Sequence, residues 1–221
     1  MAAESPVPLP ALERLSTDIR CLMQLERDGV ASVSSQDMEK HTGVSAAQFR
    51  KDLSYFGEFG KRGIGYRVVD LKERIASLLE IDREQSVVIV GAGHLGSALI
   101  AYPGWRSYRF KIAAVFDREP AVIGKRIRQY TVQDITELED QTARLGARIG
   151  IIAVPAWEAQ GVADRLVAAG IVGIVNFAPM KLQTPEHVVV REVCFICELA
   201  MLSYLVNHPA GGSEPAHSDD P

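Results

Sequence analysis

The stretch SVVIVGAGHLGSALIAY, residues 86–102, decides the fold of the larger part of the chain. Val87–Val90 is a short apolar run of β-branched residues, the composition of a strand covered on both faces. It leads directly into Gly91, Gly93 and Gly96, a G-x-G-x-x-G spacing, and the residues beyond read as a helix. In that motif the first glycine makes a tight turn, the second admits a pyrophosphate close to the backbone, and the third lets the helix pack on the strand. The positive helix N-terminus then faces the phosphates. Gly91, Ala92, Gly93, His94, Leu95 and Gly96 are therefore the candidate dinucleotide cradle.

A glycine motif alone is weak, so its surroundings matter. FKIAAVFD (110–117) is a second strand ending in Asp117, 21 residues past Gly96, where an acid binds adenosine ribose hydroxyls. That acid favours NAD over NADP, while the adjacent Arg118, Lys125 and Arg126 would suit a 2′-phosphate. RIGIIAVP (148–155), a helix over 157–170 and IVGIVNFAP (171–179) continue the alternation and predict a mostly parallel, doubly covered α/β sheet. Ligands of such sheets lie at the carboxyl ends of the strands, which places Val154, Pro155, Asn176, Phe177, Ala178 and Pro179 at the nicotinamide half. Tyr102, opening the aromatic and basic YPGWRSYRF, is placed to close over the cofactor, or to serve as packing.

Upstream the pattern changes. Leu12, Leu15, Ile19, Leu22 and Leu25 form the stripe of an amphipathic helix ending near Gly29. Ser34 with Asp37 caps a short second helix broken at Gly43, and Ser45 with Gln48 predicts a capping box that opens a third. In that third helix Phe49, Leu53 and Phe56 face the core. Ser45 at its start and Gln48, Arg50, Lys51, Ser54 and Tyr55 on its flanks and outer face are candidate DNA contacts, the arrangement of a helix-turn-helix over about 17–56. Gly57 ends the helix, and GEFGKRGIGYRVVD reads as a wing over about 57–69, with Lys61 and Arg62 at its tip and a returning strand from Tyr66 to Val69. A linking helix around Leu71–Leu79 leads to a boundary near Arg83.

Charge supports this division. The whole chain carries −4, which excludes a protein that coats nucleic acid by bulk charge. Residues 48–67 hold five basic and two acidic side chains, a local +3. No apolar run reaches the roughly 20 residues of a membrane span, and three cysteines do not make a secreted disulfide framework, so the expected location is the cytoplasm. None of the five histidines is placed for catalysis; His187 falls in a presumed strand, and there is no Tyr-x-x-x-Lys. The chain is expected to bind its cofactor without consuming it, with no catalytic residue and no metal. The last helix, CFICELAMLSYLVNH (194–208), is apolar nearly all round and implies burial against another subunit. Cys194 and Cys197 are expected to be buried structural residues, with a thiol switch or metal half-site as alternatives. The expected organisation is a winged-helix DNA-binding domain over 1–82, a Rossmann-like domain over 83–207, and a disordered tail over 208–221.

The same order of elements, with the wording QFRKDLSYFGEFGKRGIGY, VGAGHLGSALIAY, VFD and NFAP, closely resembles the Rex family of redox-sensing transcriptional repressors over about residues 11–207. The resemblance implies a homodimer with swapped C-terminal helices (194–207). It implies a palindromic double-stranded operator, bound when NADH is scarce and released when NADH binds, with NADH and NAD+ as the cofactors. It assigns DNA contact to Gln48, Arg50, Lys51, Tyr55, Lys61 and Arg62, and nucleotide contact to Gly91–Gly96, Asp117 and the NFAP loop. It also implies coupling of Arg20 and Tyr102 to an aspartate at the start of the swapped helix. Cys194 stands at that position, a departure from the family pattern.

Overall fold

The computed structural model describes residues 7–57 and 65–208. The chain forms two compact units, residues 1–84 with 106–110, and residues 85–105 with 111–221.

In the first unit, α1 (Leu9–Arg27) carries Pro10 in its first turn and buries Ala11, Leu15, Ile19, Leu22 and Leu25. After the short β1 (Ser32–Val33), α2 (Ser35–Thr42) starts with the full reciprocal Ser34–Asp37 box and ends at Gly43, φ +73°. α3 (Ala46–Ser54) keeps only half of its expected box. Ser45 Oγ accepts from the Gln48 amide at 3.2 Å, but the Gln48 side chain turns away to a carboxylate. Phe49 and Leu53 are fully buried and Phe56 is half-buried against the same core, as the spacing predicts.

The returning strand of the expected wing is shorter than the sequence suggests, and residues 58–64 of that wing lie outside the described residues. β2 is only Tyr66–Arg67, and it pairs antiparallel with β1, Ser32 opposite Arg67 and Val33 opposite Tyr66. The expected strand to Val69 ends early because Val68 already begins α4 (Val68–Leu78). Gly65, at φ +83°, lets the strands meet: a Cβ there would lie 2.6 Å from the Val33 carbonyl oxygen. Lys61 and Arg62 lie outside the described residues. The core gathers Leu15, Ile19, Leu22, Met38, Phe49, Val68 and Ile75, and Lys72 of α4 pairs with Glu26 of α1 at 2.6 Å.

The second unit begins with β3 (Gln85–Val90) and α5 (His94–Ala101), followed by β4 (Phe110–Asp117). A hairpin that the sequence reading did not identify, β5 (Arg126–Ile127) and β6 (Tyr130–Asp134), precedes α6 (Leu138–Leu145). Then come β7 (Ile149–Ile152), α7 (Ala156–Ala168), β8 (Gly173–Asn176), β9 (Val189–Glu192) and α8 (Phe195–Asn207). The strands form one sheet in the order β5-β6-β4-β3-β7-β8-β9. Its β4–β6, β3–β7, β7–β8 and β8–β9 pairs are parallel, and β5 is an antiparallel edge. The chain leaves β3 toward β4 and later resumes on the other side with β7, so the switch point lies between β3 and β7. His187 sits in a turn before β9 and not in the strand. No residue of α8 is buried; Phe195, Ile196, Leu199, Leu202, Leu205 and Val206 are each more than half exposed.

Candidate functional site

The three glycines of the loop after β3 have different surroundings. Gly91 adopts φ +100°, donates its amide to the Phe116 carbonyl at 2.8 Å, and would place a Cβ 2.5 Å from the Ala153 carbonyl oxygen. A Cβ at Gly96 would overlap the Gly91 carbonyl oxygen, so this glycine is what lets α5 sit on the turn. Around Gly93 an added Cβ would meet nothing within 4 Å, and Gly93, His94 and Leu95 are exposed at the start of α5. The first and third glycines thus serve the fold, and the middle one leaves backbone open at a helix N-terminus. That arrangement fits a pyrophosphate.

Asp117, at the end of β4, accepts from the Ala92 amide at 2.6 Å through Oδ2 and from the Glu119 amide at 2.9 Å through Oδ1. Each carboxylate oxygen keeps a lone pair, so ribose hydroxyls can still donate to it. Arg118 extends the other way, to Glu158 in the first turn of α7 at 2.8 Å. Val154 is half-buried, and exposed Pro155 caps α7. Asn176 is fully buried, and its side chain is spent internally. Its Nδ2 donates to the Met180 carbonyl at 2.8 Å and its Oδ1 accepts from the Ala178 amide at 3.0 Å. It holds the 176–180 strap in shape and leaves Phe177, half-buried, and Pro179, exposed, as the surface of that strap; Ala178 is buried. Tyr102 is exposed, its ring against Gly104 and edge-on to Trp105.

On α3, Arg50, Lys51, Ser54 and Tyr55 are exposed and Gln48 is partly so. Arg50 donates to Ser35 Oγ at 2.7 Å, tying α3 to the start of α2. Behind these side chains lies a network that the sequence reading missed. Arg14 of α1 binds both oxygens of Asp52, at 2.5 and 2.8 Å, and Gln48 Nε2 donates to Asp52 Oδ1 at 2.7 Å. Burial pushes the Asp52 carboxyl up, but the hydrogen bonds from Arg14 and Gln48 outweigh it and hold the group below the ordinary carboxylate range. Asp18, one turn beyond Arg14, has neither oxygen hydrogen-bonded; burial first, then the Asp52 charge, raise it to about 7. The signal in the sequence was an acid inside each apolar stripe: Asp18 beside Ile19, and Asp52 beside Leu53.

Arg20 is exposed on α1 in the first unit, and Tyr102 and Cys194 are exposed in the second. The cysteines differ from expectation: Cys194 and Cys197 are exposed and joined by a disulfide, with Cα atoms 5.3 Å apart at the start of α8. The first turn of a helix brings residues three apart to that spacing, whereas burial would have required a covered α8. Among the described residues no cluster of metal-ligating side chains occurs, and no helix is long and apolar enough to cross a membrane.

Comparison with known proteins agrees with this layout. The family described as "Putative DNA-binding protein N-terminus" matches residues 6–54, and "CoA binding domain" matches residues 82–180. A protein of Carboxydothermus hydrogenoformans named redox-sensing transcriptional repressor Rex is 47% identical over 198 residues, spanning 90% of this chain and 95% of the relative. The chain belongs to the Rex family of redox-sensing transcriptional repressors. A Rex relative from Thermosipho africanus is 38% identical over 92% of the chain and 97% of its own length. Among solved Rex-family structures, RSP in complex with β-NAD+ and operator DNA aligns with a TM-score of 0.86 at 36% identity, covering 92% of this chain and 94% of that one. RSP in complex with β-NADH aligns at 0.84 with 35% identity, over 92% and 95% of the two chains. The Rex match therefore takes in both units.

Proposed function

We propose that the chain is a homodimeric, cytoplasmic repressor that reads palindromic operator DNA with α3 and is released from it when NADH binds. One observation carries this reading: a helix with exposed Arg50, Lys51, Ser54 and Tyr55 and a glycine cradle open at Gly93 occupy separate compact units of one chain. The alignment with RSP bound to β-NAD+ and operator DNA, and to β-NADH, supports it. We assign residues 1–82 to the DNA-binding domain and 83–207 to the NAD(H)-binding domain.

In the second unit the amides of His94 and Leu95 would face the pyrophosphate, and Asp117 the adenosine ribose. Val154, Pro155, Phe177 and Ala178 would line the nicotinamide half, with Tyr102 at its edge and Arg118 beside the ribose. A bound nicotinamide dinucleotide supplies a ring whose charge differs between its two redox states. In the first unit Gln48, Arg50, Lys51 and Tyr55 would face the major groove, with Ser45 and Ser54 at the ends of α3 and Lys61 and Arg62 on phosphates. Relatives are named as repressors, and we read the cofactor as bound and not turned over.

The exposed apolar face of α8 supports assembly of two copies, each presenting one α3 to half-sites about one DNA turn apart. NADH lowers operator affinity only in so far as it binds the arrangement that cannot hold DNA more tightly than the one that can. Arg20, Tyr102 and Cys194 are our candidate couplers between the two units. Paired operator-binding curves with NAD+ and with NADH test the reading. NADH is expected to weaken binding, and a curve indifferent to NADH at fixed NAD+ rejects it.

A further inference from the structure

Gln48 stands where α3 would meet bases, and what orients it is not solvent. Its Nε2 is 2.7 Å from Asp52 Oδ1, and Asp52 is a fully buried carboxylate that Arg14 grips through both oxygens. A carboxylate held this way can only accept, so the end of the Gln48 amide turned toward it is the NH2 group. Oε1 is thereby turned away from the pair. The second Nε2 hydrogen and Oε1 remain as a neighbouring donor and acceptor. Adenine offers the complement in the major groove, an N7 acceptor beside an N6 donor.

We propose that Asp52, clamped by Arg14, is a positioning residue that fixes the outward face of Gln48 and so sets base preference at one position of each half-site. The inference rests on the reading of α3 as the DNA reader. Asp52 itself is too deeply enclosed to touch DNA, and all of its contact with the base passes through Gln48. Because Arg14 belongs to α1, the first helix shares in choosing the base while lying behind the reading surface. A glutamine without this anchor would rotate its amide and accept either polarity of partner.

The competing explanation is that Arg14 and Asp52 merely fasten α1 to α3. The two ideas separate in a random-sequence duplex library bound by the full chain and sequenced, run with wild type, Gln48→Ala and Asp52→Asn. Fastening alone would lower binding to every duplex by a common factor.

Oδ1 serves both Arg14 Nη2 and Gln48 Nε2, so Asp52→Asn, which leaves one acceptor oxygen and one NH2 group in place of the carboxylate, sets Gln48 against the Arg14 fork and no longer fixes the polarity of the Gln48 amide. The expected result is that wild type prefers adenine at one symmetric position. Gln48→Ala should lose that preference by about 5- to 100-fold, the range of a bidentate base contact. Asp52→Asn should blunt the adenine preference at the same position, leaving the other positions intact. The double variant should match Gln48→Ala there. Arg14→Lys, which keeps the charge but loses the fork, should blunt the same position and serves if Asp52→Asn does not fold. If wild type selects a sequence but these variants weaken all positions alike, the positioning role is overturned. If wild type selects no sequence, the reading of α3 fails instead.

Discussion

Asp18 of α1 and Asp52 of α3 are both fully buried, and they interact, yet only one of them is hydrogen-bonded. Asp52 receives three donors, whereas neither oxygen of Asp18 has a hydrogen-bond partner. Asp18 is raised from 3.8 to about 7 by burial and by Asp52, with Arg14 opposing. The other titrating groups it bears on are Cys21 on α1, whose thiol it helps to raise, and through Asp52 the charges of Lys51 and Arg14.

A folded-state value above the unfolded one means that the proton stabilises the fold. The contribution is complete below about pH 4 and is lost as pH rises toward 7, by up to about 4 kcal/mol at about 1.4 kcal/mol per pH unit. Asp52 acts in the opposite sense, and only when pH falls below the ordinary carboxylate range. Denaturant melts of the full chain should therefore weaken between pH 5 and 7 and level off above. Asp18→Asn should flatten that slope and melt higher than wild type at pH 8. A wild-type profile that is flat from pH 5 to 7 would refute the assignment.

The hydrogen bond from Ala92 to Asp117 ties the glycine loop to the end of β4. Replacing Asp117 by Ala removes a charged acceptor worth about 1.5–3 kcal/mol and frees the loop. NADH affinity, followed by calorimetric titration, should fall by roughly 10- to 100-fold at that energy. The melting transition should also fall, though by less than for a core truncation, because Asp117 is partly exposed at the rim.

The α8 face should behave as a contact between copies. Leu199 and Leu202 border an apolar groove with Phe195, Met201 and Leu205. Placing Glu at both positions should convert a dimer to single chains in sedimentation equilibrium and reduce operator binding with it. If the wild-type chain sediments as a monomer at micromolar concentration, α8 has another role.

How far the structure could be read from the sequence depended on the range of the interactions involved. Ser34 with Asp37, and Gly43 as a left-handed cap, act within one turn and were legible residue by residue. So were Gly96, blocked by the Gly91 carbonyl five residues back, and Gly91, which turns at φ +100°, although the Ala153 carbonyl that also crowds Gly91 comes from the end of a distant strand. The β1–β2 pair was not, because Ser32 meets Arg67 across two intervening helices and two-residue strands carry no periodicity. The box at Ser45 failed for a related reason: Gln48 had a better partner in Asp52, whose charge is held in place by Arg14, 38 residues away. Asp18 and Asp52 stand inside the apolar stripes of their helices, which marks them as enclosed, but their partners, or the lack of them, depend on the packing of α1 against α3. The cysteines were read through the apolarity of their neighbours, yet the first turn of α8 leaves them exposed and within bonding distance of each other.

The open surroundings of Gly93 have a consequence for inheritance. Alanine at Gly96 would overlap the Gly91 backbone and should cost about 3 kcal/mol or more of stability, visible as lost soluble protein. Alanine at Gly93 meets no atom of the chain, so Gly93→Ala should melt within about 0.5 kcal/mol of wild type, as surface changes do. In the nucleotide site we propose, its methyl group would stand in the path of the pyrophosphate, and NADH should no longer loosen the operator. One codon change could therefore leave a lineage with a sound repressor that has gone blind to its metabolic signal, while a change three residues later would remove the repressor altogether.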